Sequence, residues 1–138
     1  MTREAPALLS WSETVTYGAL EDRVGDAAGR LRALGVGERA RVGLWAGNSV
    51  EWIVIALAVG RVGAVLVPLN TRLADAEIDW QAARAGLRVV IAADDLAARA
   101  VSASRLVSFA EWRTLPSGNN GALAGHDEPE RDAAILFT

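Results

Sequence analysis

The chain has 138 residues, 51% of them apolar, and a formal net charge of −3. That is enough apolar sequence for one domain with a buried core, and too much for a disordered tail. It has no cysteine, all 14 of its cationic side chains are arginine, and no basic patch stands out, so a disulfide framework, a thiolate metal site and lysine Schiff-base chemistry are excluded and nucleic-acid binding is unsupported.

Residues Met1 to Trp11 lack the charged start and long apolar stretch of a signal peptide, so a cytoplasmic location is the expectation. Ala7–Trp11 and Thr14–Tyr17, separated by Ser12 and Glu13, read as a small hairpin. A helix follows, with Leu20, Val24, Ala27, Leu31 and Leu34 on one face, Thr16 as its N-cap and Gly35 as its stop. Arg41–Ala46 reads as a strand.

The run Asn48 to Asn70 is the most apolar in the chain and reads as a buried helix feeding a buried strand. Asn48 is the expected N-cap, with the Glu51 carboxylate reaching back to it. Trp52, Ile53, Ile55, Ala56, Leu57 and Val59 fill nearly every side, so little of this helix is expected to face water. Gly63 suits a left-handed C-terminal position. Ala64–Val67 is a continuous apolar run, expected to be covered on both faces and to stop at Pro68. The rival reading, a membrane span over Ile53 to Leu69, places Arg61 near the bilayer centre at a cost of about 2.5–3.5 kcal/mol.

A third helix is expected over Asp75–Ala85. Leu73 and Ile78 form a hydrophobic staple, Ala74 is a poor N-cap, and Gly86 is the stop. Leu87–Ala92 is a strand, Asp94–Ala100 a short helix, Arg105–Val107 a brief strand and Phe109–Trp112 one helical turn. Pro116 to Asp132 is a polar loop, and Ala133–Thr138 a closing apolar strand. Strands alternating with helices imply a mostly parallel sheet flanked by helices, a single α/β unit over residues 1–138. The strand order is not derivable from this pattern.

Residue chemistry alone names no active site. Gly35–Ala40 has the spacing G-x-G-x-x-A, but a helix precedes it and a strand follows, the reverse of what a pyrophosphate site needs. It reads as a helix stop and turn. Asp94–Asp95 and the cluster Asp127, Glu128, Glu130 and Asp132 lack calcium-loop spacing and read as solvated surface. Trp45 and Trp52 read as core. His126, the single histidine, lies in a polar loop, a thin basis for a catalytic or metal site.

The order of pieces is nonetheless familiar. Val15–Leu20 resembles the opening T-Y-x-E-L motif of the acyl-adenylate-forming superfamily, with Ala19 in place of the usual glutamate. Leu34–Arg39, with Val42 and Asn48–Glu51, is similar to its G-V-x-x-G-D-R-V and N-S-x-E segment, with Glu38 for the common aspartate. Gly60–Asn70 resembles its G-A-x-x-V-P-L-N motif. Thr71, Arg72, Leu73, Glu77, Trp80 and Gln81 resemble wording closest to o-succinylbenzoate–CoA ligases of menaquinone synthesis, and Ser108–Glu111 has a counterpart there.

The resemblance implies the N-terminal subdomain of an AMP-forming acid–CoA ligase that uses ATP, Mg²⁺ and CoA. It assigns no catalytic or metal-binding residue and no cofactor to these 138 residues. Ala134–Thr138 resembles the strand entering the family's phosphate loop, and Thr138 alone would belong to that loop. The expectation is a catalytically inactive N-terminal fragment whose partner is the rest of its parent. The alternative is a free-standing α/β interaction or nucleotide-binding module. Apolar surface left open beside a terminal strand would favour self-association.

Overall fold

The computed structural model describes residues 2–99 and 105–118. The expected strand Ala133–Thr138, His126, the Asp127–Asp132 acids and all of the polar loop past Gly118 lie outside them. The described chain runs β1 (Pro6–Leu9), β2 (Thr14–Thr16), α1 (Tyr17–Ala33), β3 (Arg41–Trp45), α2 (Val50–Arg61), β4 (Val65–Pro68), α3 (Asp75–Ala85), β5 (Val89–Ala92), α4 (Asp94–Ala97), β6 (Leu106–Ser108) and α5 (Phe109–Thr114).

β1 and β2 pair antiparallel as the expected hairpin. The other strands form one parallel sheet in the order β4-β3-β5-β6. The path from β3 to β4 steps one way and the path from β4 to β5 steps back past β3. Right-handed crossovers then require the two connecting helices on opposite faces. The packing obeys this. Val54, Ile55, Ala58 and Val59 of α2 join α1 and α5 over Val42, Leu44, Val89 and Ile91. Ile78, Ala82 and Ala85 of α3 cover Trp45, Val67, Val90 and Ala92 on the other face. Alternate residues of β3 and β5 thus serve alternate layers, as a pleated strand demands.

Local signals are read correctly at several ends. Thr16 Oγ1 accepts from the Ala19 N–H (3.1 Å), capping α1 without a glutamate at position 19. Gly35, Gly63 and Gly86 all carry positive φ at or just past helix ends. Ala74 precedes α3 with no side-chain cap, while Leu73 and Ile78 both pack in the second core.

Three expectations are corrected. The cap of α2 is Ser49, whose Oγ accepts from the Trp52 N–H (3.1 Å), and not Asn48. The Glu51 carboxylate turns instead to Arg113, 2.5 Å away. α2 is buried on one side only: Ile53 and Leu57 are 36% and 48% exposed, and Trp52 is half-buried rather than core. β4 ends at Pro68 and packs against both cores, through Leu66 and Val67, as expected; among the described residues it stands at the edge of the sheet. Pro68 fits there because of polarity along the strand. Val65 and Leu69 donate toward β3 (2.8 and 2.9 Å), so the N–H that Pro68 lacks falls on the outer side, where no ladder needs it.

Among the described residues no helix is long and apolar enough to cross a membrane.

Candidate functional site

Open parallel sheets take ligands at the carboxyl ends of their strands, where the strand order reverses. Here that point lies between β3 and β5. The Ala93 N–H donates to the Trp45 carbonyl (3.0 Å), which closes the two strand ends together. The Trp45 side chain is fully buried, and its Nε1 has no hydrogen-bond partner among the described residues. Arg99 lies over its ring, donates to the Leu73 carbonyl (3.1 Å) and pairs with Asp75. One guanidinium therefore ties the loop between β4 and α3 to the end of β3.

On the other face of the sheet, the carboxyl ends open into a cleft of about 570 Å³. The hairpin turn, Ser10–Glu13, forms one wall and the start of α2, Asn48–Glu51, another. Val54 and Phe109 supply apolar lining, and Arg23 and Arg113 complete it. Its four charges are matched in pairs: Arg23 with Glu13 at 2.9 Å, and Arg113 with Glu51 at 2.5 Å. The turn is fixed by its own bonds. Ser10 N–H donates to the Glu13 carbonyl (2.9 Å), and Glu13 N–H donates to Ser10 Oγ (3.1 Å). Trp11, at its tip, is 98% exposed.

The structure brings no catalytic set together among the described residues. Thr138, the one nucleotide-site candidate, lies outside them. Gly35–Ala40 forms the turn between α1 and β3, with Gly35 at φ 79° and Arg39 at φ 65°, and presents no helix N-terminus to a phosphate. Asp94 is exposed, as expected, yet it also holds a helix start: its Oδ1 accepts from the Ala110 N–H in the first turn of α5 (2.9 Å). No sequence signal announces a cap supplied from 16 residues away. The cleft was missed for the same reason, since its walls come from four separate stretches of chain.

Among the described residues, no three His, Asp or Glu side chains converge to hold a metal. The chain also contains no lysine to add charge at a phosphate.

Comparison with known proteins settles the family. The model of the AMP-binding enzyme family matches residues 1–137. The chain belongs to the AMP-binding enzyme family. Over 96 residues, 67% of this chain, it is 40% identical to a Mycobacterium tuberculosis 3-[(3aS,4S,7aS)-7a-methyl-1,5-dioxo-octahydro-1H-inden-4-yl]propanoyl:CoA ligase, of which that stretch is 19%. Over 119 residues, 86% of the chain, it is 32% identical to a 2-succinylbenzoate–CoA ligase of a Geobacillus species, covering 24% of that protein. The crystal structure of the N-terminal domain of FACL13 from Mycobacterium tuberculosis superposes with a TM-score of 0.75 and 26% identity, over 91% of this chain and 35% of that one. This AMP-binding chain thus spans about a fifth to a quarter of the two ligases it matches. Its parallel sheet with flanking helices is the architecture of the N-terminal domains of adenylate-forming enzymes.

Proposed function

We propose that these residues form the scaffold of an ATP-dependent, AMP-forming acid–CoA ligase. The observation that carries this reading is the family match over residues 1–137. In the proposed parent reaction, a carboxylate oxygen attacks the α-phosphorus of ATP and pyrophosphate leaves. The CoA thiol then displaces AMP and gives the thioester. Mg²⁺, the phosphate-loop glycines and lysine, and the adenylation lysine would be supplied beyond Thr138, which would itself begin the phosphate loop. For the acid, an o-succinylbenzoate-like substrate is supported by Thr71–Leu73, Glu77, Trp80 and Gln81, and by the 32% identity to a 2-succinylbenzoate–CoA ligase. A cytoplasmic location goes with this reading.

The 138 residues by themselves are then expected to bind no nucleotide. Calorimetry with Mg-ATP on the purified chain should give no binding heat, and micromolar affinity would refute the assignment. The parent activity is tested by a chimera in which these residues replace their counterpart in the Geobacillus ligase. Retained acid-dependent release of pyrophosphate supports the scaffold reading, and a folded but inactive chimera overturns it.

Trp11, exposed at the cleft, favours a second reading, a free-standing α/β interaction or nucleotide-binding module. The coding sequence past Thr138 separates the two. Ser-Gly-Thr-Thr-Gly there supports the ligase, and a stop codon supports the module.

A further inference from the structure

The amino ends of the parallel strands carry a charge pattern that no single stretch of chain shows. α1, α2 and α3 all end on this side of the sheet, because each leads back to the start of a parallel strand. Arg32 lies in the last turn of α1 and Arg84 in the last turn of α3. Arg39 stands in the turn before β3, Arg41 opens β3, and Arg88 directly precedes β5. The backbone gathers them. Arg88 N–H donates to the Arg41 carbonyl and Arg39 N–H to the Gly63 carbonyl, both at 2.8 Å. The Arg88 guanidinium crosses to the end of α1, its Nη2 2.8 Å from where a Cβ on Gly35 would stand.

Arg39, Arg41, Arg84 and Arg88 are exposed. Arg41 donates to the Ala85 carbonyl (2.8 Å), Arg84 lies over the Trp80 ring, and Arg32 Nη1 is buried without a hydrogen-bond partner. None of these five arginines pairs with a carboxylate among the described residues. Helix C-termini attract cations, but each is worth only about half an elementary charge. Three such ends and Glu38 therefore leave this edge strongly positive.

The matching charge lies in the same chain. The described residues hold 13 arginines and 13 acids, so the whole net charge of −3 belongs to the rest. It is concentrated in Asp127, Glu128, Glu130 and Asp132, with Arg131 the one opposing charge. The chain also leaves the described residues beside this edge. Arg30, in the last turn of α1, donates to the Leu115 carbonyl (3.4 Å), three residues before Gly118. Nine residues separate Gly118 from Asp127 and span up to about 30 Å, against about 25 Å for the whole of α1. We propose that the acidic segment Asp127–Asp132 docks on the amino edge of the sheet, over Arg32, Arg39, Arg41 and Arg88. A guanidinium without an anionic partner presents a fork that a carboxylate fills with two bonds. Single exposed pairs are worth little, whereas several on one shared edge act as a network. The docking goes beyond the ligase reading and does not depend on it.

The chain has no cysteine, so Gly125→Cys gives one site for a nitroxide spin label next to the acids. In NMR spectra of the isotope-labelled 138-residue chain, the amide signals of Gly35, Arg39, Arg41 and Arg88 are expected to broaden. Those of Trp11 and Ser49, at the carboxyl edge, stay sharp. The broadening is lost near 1 M salt, where the Debye length falls to about 3 Å. Arg39→Gln with Arg88→Gln, both at exposed positions, weakens it. Asp127→Asn, Glu128→Gln, Glu130→Gln and Asp132→Asn together abolish it. Reversed charges, Arg39→Glu and Arg88→Glu with Glu128→Lys and Glu130→Lys, restore it. The proposal is overturned if the amino edge does not broaden, if Trp11 and Ser49 broaden in its place, or if salt and the variants change nothing. It is equally overturned if the broadening appears only between chains, in a mixture of spin-labelled chains and isotope-labelled chains without the nitroxide, since a second copy would then supply the acids.

Discussion

Arg99 lies over the ring of Trp45, its guanidinium carbon 4.9 Å from the ring centroid. The ring is fully buried, whereas the Arg99 side chain is 29% exposed, so the cation caps the core from outside. The same guanidinium donates to the Leu73 carbonyl and pairs with Asp75. It thereby holds the start of α3 against the end of β3, at the point where the strand order reverses.

Arg99→Ala is expected to lower stability by about 1–3 kcal/mol, the sum of a partly desolvated cation–π contact and a bond to a carbonyl. Arg99→Lys should recover only part of this, because an ammonium cannot spread over the ring and fork to two acceptors at once. Urea unfolding followed by tryptophan fluorescence measures both. Equal stability of the alanine variant and the parent chain would show that the clamp contributes nothing.

Ser49 and Asn48 are adjacent, and only one of them caps α2. Ser49→Ala should cost about 1 kcal/mol by leaving the Trp52 N–H without its acceptor. Asn48→Ala, an exposed change away from the cap bond, should stay within about 0.5 kcal/mol of the parent. The reverse ranking in thermal or chemical melts would return the cap to Asn48.

Gly43 sits in the centre of the sheet, where a Cβ would meet Leu87 Cδ1 at 2.8 Å and Val90 Cγ2 at 3.1 Å. Both neighbours are buried and Val90 is β-branched, so neither yields freely. Gly43→Ala should destabilise the chain by about 1–3 kcal/mol through overpacking. Pairing it with Leu87→Ala should recover part of the loss in a double-mutant cycle, whereas simple additivity would place the strain elsewhere.

Gly86 and Gly37 both have open space where a side chain would go. Only Gly86 has positive φ, at 64°. Gly86→Ala should therefore cost about 1–2 kcal/mol in backbone strain at the end of α3. Gly37→Ala should be neutral or stabilising by up to about 1 kcal/mol, because it restricts the unfolded chain without strain in the folded one. Matched melts of the two variants decide this, and equal losses would mean that backbone sign is not the controlling factor.

Much of this architecture was legible in the sequence, and the pattern of successes has a physical cause. The Thr16 cap, the Gly35, Gly63 and Gly86 stops and the bounds of α3 follow from hydrogen bonds and φ preferences that span four residues or fewer. The error at Asn48 belongs to the same scale, since two good caps stood side by side and only backbone direction chooses between them. The motif wording from Val15 onward carried the family, and the match over residues 1–137 agrees with it.

Other features had no local signal. α2 carries apolar residues on nearly every side, so its periodicity could not say that Ile53 and Leu57 would face outward. That was decided by the sheet, which covers one side of a helix lying on it. The cleft depends on Arg113 meeting Glu51 across 62 residues, and on the hairpin turn meeting the start of α2. Composition and spacing determined which segments are helix and strand, and the resemblance of short motifs pointed to the family, because those properties are written in neighbouring residues. Strand order, the exposed face of α2, the Asp94 cap on α5 and the cleft were decided only when distant segments packed, because burial is shared between surfaces that no single stretch of chain contains.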